Sequence, residues 1–410
     1  MRLILALWAA GLLGGVPLAH AGLQVTPVEF VTAGNAAQPS VAVDPALGFV
    51  LTWQERGPER NALKFAVIGA GGAEVRRGTV ASGKDWFVNG ADFPSLAVLD
   101  NGDWVTYWLQ KSSPGTYSYD IRAIRSRDQG QSWDPAITVH RDGTETEHGF
   151  VAMTSAGADR VQLAWFDGRR MAGADPHAHE GSAEHMTLRT AVLGRDGKLM
   201  QEAELDDLTC SCCQTDAVRG RSRSLVVYRD RTDKEIRDIG TVVYADGSWS
   251  TPGRVHADNW MIAGCPVNGP AVVARGDRFS VLWPTMAGGE MRIQLAHGDG
   301  TGFDAPQQLA EGVAETGRVD LVTWGNTGFL ASRVRQAEGV TALVIDALDA
   351  TGHSVFQATV AGKVGGFPRM ARWGDAVLLA WAQAGATAGT SAIGVALITA
   401  GGSSTDTSAD

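Results

Sequence analysis

The sequence predicts an all-β propeller of four-stranded blades, and two observations lead to this fold class. Seven times along the 410-residue chain, a short apolar run is followed within a few residues by a second apolar run. The second run closes on an aromatic residue in six of the seven units. The closing positions, 49 to 63 residues apart, are Trp53, Trp108, Trp165, Tyr228, Trp283, Ser332 (the exception) and Trp381. A period of about 50 residues is too long for helical or leucine-rich repeats but fits one blade.

Each unit supplies the two inner strands of one blade. The predicted pairs are Ser40–Asp44 with Gly48–Trp53, Phe93–Leu99 with Asp103–Trp108, Phe150–Ser155 with Arg160–Trp165, Thr215–Arg219 with Ser224–Tyr228, Val267–Ala274 with Arg278–Trp283, Val319–Thr323 with Gly328–Ser332, and Pro368–Trp373 with Ala376–Trp381. Two outer strand-like runs follow in every unit except the last, which has only Ala392–Thr399. We expect the N-terminal run Val25–Thr32 to complete that blade and close the ring. The count predicts seven blades, and six is the alternative if the unit around Ser332 is misread.

The first 21 residues have the features of an export signal. Arg2 supplies a positive start, Leu3–Leu18 is an apolar run too short and interrupted to span a bilayer, and Ala-His-Ala precedes the expected cleavage point. We therefore predict a signal peptide over 1–21, one propeller domain over 22–400 and a disordered tail over 401–410, whose composition is Gly, Ser, Thr, Asp and Ala. The mature protein is expected to be secreted or periplasmic, without a membrane anchor.

The net charge argues against a nucleic-acid partner. It is −10 for the whole chain, and removal of Arg2 with the signal peptide makes it more negative. Proteins that bind phosphate backbones need a basic surface. We expect a monomer with an anionic or glycan ligand and no nucleic acid.

A propeller gathers distant residues on one face, here called the top face. The loops from strand two to strand three, and from strand four to the next strand one, open there. Cations that follow the strand-two aromatics are predicted to bind an anion: Arg56, Lys111, Arg169, Arg229 and Arg231. The loops leading into the blades add Gln214, Asp216, Trp260 and Asn268. The alternative is that each arginine pairs with a neighbouring acid and only joins the blades.

Acids and one histidine at the same face are the candidates for acid–base catalysis. They are Asp92, Asp167, Asp230 and His148. His148 begins an innermost strand, which favours a buried role. A longer loop over residues 175–185 carries His177, His179 and His185. A solvated loop or a set of metal ligands is expected there.

All four cysteines fall in the loops that lead into blades 4 and 5: Cys210, Cys212, Cys213 and Cys265. An exported protein with an even cysteine count usually oxidises them, so one hypothesis is two disulfides. A bond between the adjacent Cys212 and Cys213 would be strained, so Cys265 should pair with one of those two and join the blades. The alternative is a thiolate site for a soft metal such as copper. The two hypotheses exclude each other.

One motif resembles a known superfamily. Residues 126–133 read Ser-Arg-Asp-Gln-Gly-Gln-Ser-Trp, which matches the Asp-box of sialidase-like propellers. The resemblance implies a turn between the third and fourth strands, away from the top face, with Trp133 packed between sheets. The chain is also similar to secreted bacterial proteins that carry Cys-x-Cys-Cys-Gln-Thr and Gly-Cys-Pro-Val-Asn-Gly-Pro. That likeness implies no particular activity.

Sialidases use three arginines on the substrate carboxylate, a Tyr–Glu nucleophile pair and an aspartic acid as proton donor. The Arg-Ile-Pro element expected in the first blade is absent from this sequence. Tyr228 is the tyrosine at a strand-two end, and its place in the repeat predicts packing. We expect a secreted sialidase-like protein whose top face binds, and could transform, an anionic or glycan ligand. The alternatives are a periplasmic metal-binding or redox protein, and a non-enzymatic scaffold with disulfide-joined blades.

Overall fold

The computed structural model describes residues 22–173, 185–385, 387 and 389–401. In those ranges the chain forms 29 strands, β1 to β29, and one short 3-10 turn over Arg169–Met171. The strands make seven antiparallel sheets. The seven-bladed propeller is therefore confirmed, and the six-bladed alternative is wrong. The signal peptide, residues 402–410 of the tail, and His177 and His179 lie outside the described residues.

The strands of each blade follow one another in sequence. Blade 1 is β2 (Ala36–Asp44), β3 (Gly48–Arg56), β4 (Asn61–Ile68) and β5 (Glu74–Gly83). Blade 2 is β6 (Leu96–Val98), β7 (Trp104–Lys111), β8 (Tyr119–Ser126) and β9 (Ile137–Thr138). Blade 3 is β10 (His148–Ser155), β11 (Val161–Asp167), β12 (Thr187–Leu193) and β13 (Leu199–Asp206). Blade 4 is β14 (Asp216–Arg219), β15 (Ser224–Arg229), β16 (Ile239–Ala245), and an outer position divided between β17 (Ser248–Trp249) and β18 (Gly253–Arg254).

The remaining blades complete the ring. Blade 5 is β19 (Ala271–Arg275), β20 (Arg278–Thr285), β21 (Arg292–Gly298) and β22 (Gln307–Glu311). Blade 6 is β23 (Glu315–Trp324), β24 (Gly328–Ala337), β25 (Val340–Leu348) and β26 (Ser354–Gly362). Blade 7 is β27 (Val364–Trp373), β28 (Ala376–Ala384), β29 (Ser391–Ala400) and β1 (Leu23–Val28). The inner strand of blade 5 begins four residues later than predicted, because Val267 has φ of +51° and the chain turns there.

The N-terminal strand closes the last blade, as the sequence predicts. Strand β1 pairs antiparallel with β29, from Leu23 opposite Ala400 to Val28 opposite Val395. Strand β29 is thus hydrogen-bonded along both edges, to β28 and to β1, and the blade has four strand positions like the others. The chain ends therefore meet in one sheet.

Four of the tryptophans that close the second strands share a packing role and a hydrogen bond. The indole N–H of Trp53, Trp108, Trp165 and Trp381 donates to the side chain two residues later on the same strand. For Trp165 the acceptor is Asp167 Oδ2 at 2.8 Å. The indole is buried between blades, so its N–H needs a partner. The polar residue after the aromatic is thus part of the repeat.

Aspartates on or just before the inner strands join neighbouring blades around the axis. Asp92 accepts from Phe150 N at 2.8 Å, and Asp216 accepts from Val272 N at 2.8 Å. Asp320 accepts from Met370 N at 2.6 Å. Each bond crosses from one blade to the next, so these buried acids hold the inner ring together.

The Asp-box segment forms the turn between β8 and β9, as the resemblance implies. Asp128 accepts from Ser132 N at 2.8 Å, and Ser126 Oγ accepts from Gly130 N at 2.6 Å. Trp133 packs against the hydrophobic cluster between blades 1 and 2. No helix in the described part of the chain is long and apolar enough to cross a membrane.

Candidate functional site

The structure brings two of the four predicted catalytic residues together on blade 3. His148 Nε2 lies 3.8 Å from Asp167 Oδ1 and 3.2 Å from Asp142 Oδ2. Asp142 also contacts His140 Nδ1 at 2.9 Å, and the two imidazole rings stack with centroids 3.6 Å apart. Arg169 binds both oxygens of Asp167, with nitrogen–oxygen distances of 2.7 and 2.8 Å. We call these five residues the histidine cluster.

The hydrogen bonds of His148 determine the charge it must carry. Its Nδ1 lies 3.2 Å from the carbonyl oxygen of Tyr119, which can only accept, so Nδ1 carries a proton. Nε2 then faces two carboxylates, a position that suits a second proton or a cation. Burial alone would lower the pKa of His148, but the hydrogen bond and charge of Asp142 and the charge of Asp167 outweigh it and raise that pKa.

The same atoms could hold a metal ion. One ligand atom from each of Asp142, His148 and Asp167 lies within 4.8 Å of the other two. Nitrogen and carboxylate oxygen ligands suit a divalent ion such as Zn²⁺ rather than the soft copper expected from the cysteines. The guanidinium of Arg169 already satisfies Asp167, so a proton on His148 is the simpler source of the positive charge.

Asp92, the third predicted catalytic residue, belongs to a buried carboxyl pair. The hydroxyl of Tyr119 lies 2.9 Å from Asp92 Oδ2 and 2.7 Å from Glu147 Oε1. Burial is the main reason that the pKa of each carboxyl group is raised to about 7. A hydroxyl donates one proton, so the pair is best satisfied when one carboxyl group is itself protonated.

The pairing of Tyr119 with Glu147 has the composition of a sialidase nucleophile, but its accessibility does not suit that role. Tyr119 has no exposed surface and stacks on Phe87, with ring centroids 4.0 Å apart. A nucleophile must contact the sugar carbon that it attacks. Sequence reasoning missed this pair because Tyr119 begins a third strand, not a strand-two exit. The Tyr119 hydroxyl instead positions the carboxyl groups of Asp92 and Glu147 in the interior.

Asp230, the fourth predicted catalytic residue, directly follows strand β15 of blade 4. Burial, followed by the charge of Asp206, raises its pKa to about 7. Asp206 is the hydrogen-bond partner of the buried Tyr228 hydroxyl. The predicted packing role of Tyr228 therefore agrees with its position, and Asp230 belongs to this second acidic pair.

Three of the five predicted ligand-binding cations are bound by the protein itself. Arg169 is held by Asp167, and Arg231 Nε lies 2.9 Å from Glu235 Oε1. Arg229 is 1% exposed and donates to Asn268, Arg237 and Pro284. Its place under the surface contradicts a direct ligand contact. The alternative, that each arginine pairs with a neighbouring acid, describes Arg169 and Arg231. It does not describe Arg229, whose partners are carbonyl oxygens and the Asn268 amide.

The predicted loop residues lie beneath the top face. Asn268 accepts from Arg229, and the Trp260 ring lies under the same guanidinium at 4.7 Å. Gln214 donates to Ala91 O at 2.7 Å, and Asp216 joins blade 4 to blade 5. All four residues thus have partners within the protein, and Gln214 and Asp216 also line a second cavity of about 300 Å³. Lys111 bends onto its own loop and donates to Thr116 O at 2.9 Å.

The cysteines form one disulfide and one pair of free thiols. A disulfide joins Cys212 to Cys265 and so links the loops leading into blades 4 and 5. The prediction that Cys265 pairs with Cys212 or Cys213 is confirmed, and the partner is Cys212. Cys210 and Cys213 are free and buried, with their sulfur atoms 2.8 Å apart. Neither cysteine hypothesis holds in full. The structure has one disulfide instead of two, and the bond between Cys212 and Cys265 excludes a four-thiolate copper site.

A cavity of about 580 Å³ opens on the top face between blades 6, 7 and 1. We call it the anion cavity. Its described lining contains two cations, Arg56 and Lys363, and no carboxylate. Arg56, a predicted ligand-binding residue, hydrogen-bonds Val88 O at 3.0 Å and has no acidic partner among the described residues. Lys363 was missed, since it lies in a connecting loop without a repeat pattern.

The floor of the anion cavity combines aromatic rings with an unsatisfied polar group. Phe93 and Phe367 lie 5.9 Å apart and both line it. Gln38 is 7% exposed, and its Oε1 has no hydrogen-bond partner. Its φ is +58°, an uncommon backbone conformation that tends to occur at functional sites. An unpaired buried amide oxygen is costly, so it points to a ligand or water that completes it.

Comparisons with known proteins support the fold and no more. No protein-family model and no curated protein matches the sequence. Among solved structures, a protein of unknown function from Dyadobacter fermentans is 12% identical and covers 94% of this chain and 100% of its own, with a TM-score of 0.52. The NanB sialidase of Streptococcus pneumoniae is 8% identical over 92% of this chain and 94% of its own, with a TM-score of 0.49. An ulvan lyase of family PL25 is 10% identical over 78% and 80%, with a TM-score of 0.48. Of these three, the Dyadobacter fermentans protein has a TM-score above 0.5, and its likeness to this chain is one of fold alone.

Proposed function

We propose that this protein is an exported sialidase-like propeller that binds a small anionic ligand, such as a carboxylated or sulfated saccharide, in the anion cavity. The observation that carries the proposal is the pairing of Arg56 and Lys363 in a cavity whose described lining has no acid. The volume of about 580 Å³ lies in the range of small-molecule sites. Cations without a protein counter-ion favour an anion from solution.

The other lining groups suit a saccharide-sized ligand. Gln38 offers an unpaired acceptor for a hydroxyl or amide N–H, and Thr390 and Ser391 add hydroxyl groups at the rim. Phe93 and Phe367 add apolar atoms to the lining of the cavity. The combination of a few polar groups with apolar walls is usual for ligand sites.

Binding, and not hydrolysis, is the expected outcome in this cavity. Glycoside hydrolysis generally needs two carboxyl groups on opposite sides of the scissile bond. The described lining supplies none, and the raised-pKa carboxyl groups of Asp92 and Glu147 are tied to the buried Tyr119. Export is supported by the predicted signal peptide and by the disulfide, since disulfides persist in oxidising compartments.

The test is calorimetric titration of the mature protein with three probes: N-acetylneuraminic acid, glucuronic acid and neutral N-acetylglucosamine. At least one acidic sugar should bind more tightly than the neutral one, and its affinity should fall as salt rises. Arg56→Gln and Lys363→Gln should each weaken that binding by about tenfold, the loss of one charge-assisted contact. Lys198→Gln, a surface change on the opposite face, is the matched control. Equal binding of neutral and acidic sugars, or unchanged affinity in Arg56→Gln, would refute the proposal.

A further inference from the structure

Four sulfur atoms on the top face form one continuous chain of contacts. Cys265 is bonded to Cys212, and Cys210 Sγ lies 3.8 Å from Cys212 Sγ and 2.8 Å from Cys213 Sγ. Two residues separate Cys210 from Cys213, the spacing of dithiol redox motifs. A free dithiol therefore touches a disulfide.

The surroundings of the dithiol favour Cys210 as the nucleophile. Burial opposes its ionisation, but hydrogen bonds from Cys213 and from the Cys212 backbone, with the charges of Arg237 and Arg229, lower the pKa of Cys210 to about 6. Arg237 Nη1 lies 3.5 Å from Cys210 Sγ. Burial raises the pKa of Cys213, which keeps its proton. The thiolate is the form that attacks disulfides.

Exposure increases along the same chain of sulfurs. Cys210 and Cys213 have no exposed surface, Cys212 is half-buried and Cys265 is exposed. An outside disulfide cannot contact the buried pair directly, but it can contact Cys265. Any exchange between the dithiol and an external molecule must therefore pass through the Cys212–Cys265 bond.

We propose that the four cysteines form a thiol–disulfide exchange site that transfers two electrons from the buried Cys210–Cys213 dithiol, through Cys212 and Cys265, to an external disulfide. This inference is independent of ligand binding in the anion cavity. It assigns the chemical class of the substrate, a protein or small-molecule disulfide, and it gives each cysteine one role.

The steps balance in atoms and electrons. The Cys210 thiolate attacks Cys212 Sγ, the Cys212–Cys265 bond breaks, and its electron pair leaves on Cys265. Cys213 then loses its proton and attacks Cys210 Sγ, which releases the Cys212 thiolate. The exposed Cys265 thiolate attacks the external disulfide and expels one thiolate. Cys212 resolves the mixed disulfide, expels the second thiolate and restores its bond to Cys265. The protein gains one disulfide, and the external disulfide is reduced to two thiols.

The test uses the mature protein in its one-disulfide state, with the Cys212–Cys265 bond present and Cys210 and Cys213 reduced, as verified by non-reducing peptide mapping before the experiment. It is mixed under native conditions with 5,5′-dithiobis(2-nitrobenzoic acid), and disulfides are then assigned by non-reducing peptide mapping. We expect two equivalents of coloured thiolate per chain and a new Cys210–Cys213 disulfide. If the Cys212–Cys265 bond is only structural, native protein releases no thiolate, and that result overturns the proposal.

Two variants separate the steps. Cys210→Ser removes the nucleophile but keeps the Cys212–Cys265 bond, and thiolate release should slow by at least about tenfold. Cys213→Ser stops the exchange halfway, so native iodoacetamide should label Cys265 while Cys210 is bonded to Cys212. The proposed transfer through Cys212 and Cys265 would be contradicted if the nitrobenzoate thiol became bonded directly to Cys210 in the wild type while the Cys212–Cys265 disulfide stayed unchanged. The labelling of wild type and Cys213→Ser decides the question even if Cys210→Ser does not fold.

Discussion

His148 donates through Nδ1 to the backbone carbonyl of Tyr119, at 3.2 Å, across the boundary between blades 3 and 2. The bond orients the imidazole so that Nε2 faces Asp142 and Asp167. One ring thus bridges a neighbouring backbone and two carboxylates. The histidine cluster is consequently an element of blade-to-blade cohesion.

Replacing His148 should destabilise the fold strongly. His148→Asn removes the imidazole cation from Asp142 and Asp167 and leaves Arg169 as their remaining cationic partner. We expect a loss of about 2 kcal/mol in the free energy of unfolding, the scale of a buried hydrogen bond to a charged group. Urea unfolding measures it. The double variant with Asp142→Asn should recover part of that loss, because one of the two carboxylates is gone. Unchanged stability in His148→Asn would show that the positive charge is unimportant.

The buried Asp92 should make stability depend on pH. Its folded pKa of about 7 lies above the ordinary aspartate value of 3.8, so between these values the folded protein holds a proton that the unfolded chain releases. The stabilising contribution is complete below about pH 4 and is lost as pH rises toward 7. Relative to wild type, Asp92→Asn should therefore gain stability from pH 5 to pH 8, by on the order of 1–3 kcal/mol.

Thermal and urea unfolding at both pH values test this expectation. Asp233→Asn, a change of the same chemistry on the surface, is the control and should show no such gain. A parallel pH profile for wild type and Asp92→Asn would contradict the assignment.

Gly149 should tolerate no side chain. A Cβ at this position would lie 1.9 Å from Asp92 Oδ2 and 2.9 Å from a ring carbon of Tyr119. We expect Gly149→Ala to cost roughly 1–3 kcal/mol by overpacking. Gly71→Ala is the matched control, since a Cβ there meets nothing within 4 Å. Similar unfolding midpoints for the two variants would argue against the close approach.

Arg229 should matter for stability and not for ligand affinity. Arg229→Lys cannot reproduce its bonds to Asn268, Arg237 and Pro284, and about 2–4 kcal/mol of stability should be lost. Arg231→Lys, on the partly exposed pair with Glu235, should change stability by less than about 1 kcal/mol. Binding of acidic sugars, measured below the unfolding temperature, should be equal in both variants. A selective loss of binding in Arg229→Lys would return this residue to the ligand site.

Much of the fold could be predicted from the sequence because each blade contains a local pattern, two apolar runs of which the second usually ends on an aromatic residue. Apolar runs that end on Trp53 or Trp165 identify strands without reference to their neighbours. The weak unit around Ser332 was also counted correctly, since its strands keep the apolar pattern although the aromatic residue is missing.

The candidate site was predicted less completely, because its contacts depend on side-chain direction and on loop backbones. Arg56 and Arg231 each lie three residues past the aromatic residue of their repeat, yet Arg56 lines the anion cavity and Arg231 pairs with Glu235. The choice of Cys212 over Cys213 as partner of Cys265 follows from which sulfur faces blade 5. Tyr119 and Glu147 meet across a loop, and no periodic pattern records that contact.

The ladder between β1 and β29 also decides how the molecule would respond to force. Leu23 and Ala400 are opposite each other at one end of it, and Val28 and Val395 at the other. Tension applied between the two chain ends would load the Leu23–Ala400 rung first and then each rung in turn, so the strands would peel apart instead of sliding. The β1–β29 pairing that closes the propeller ring is therefore the first contact that we expect to open under such tension.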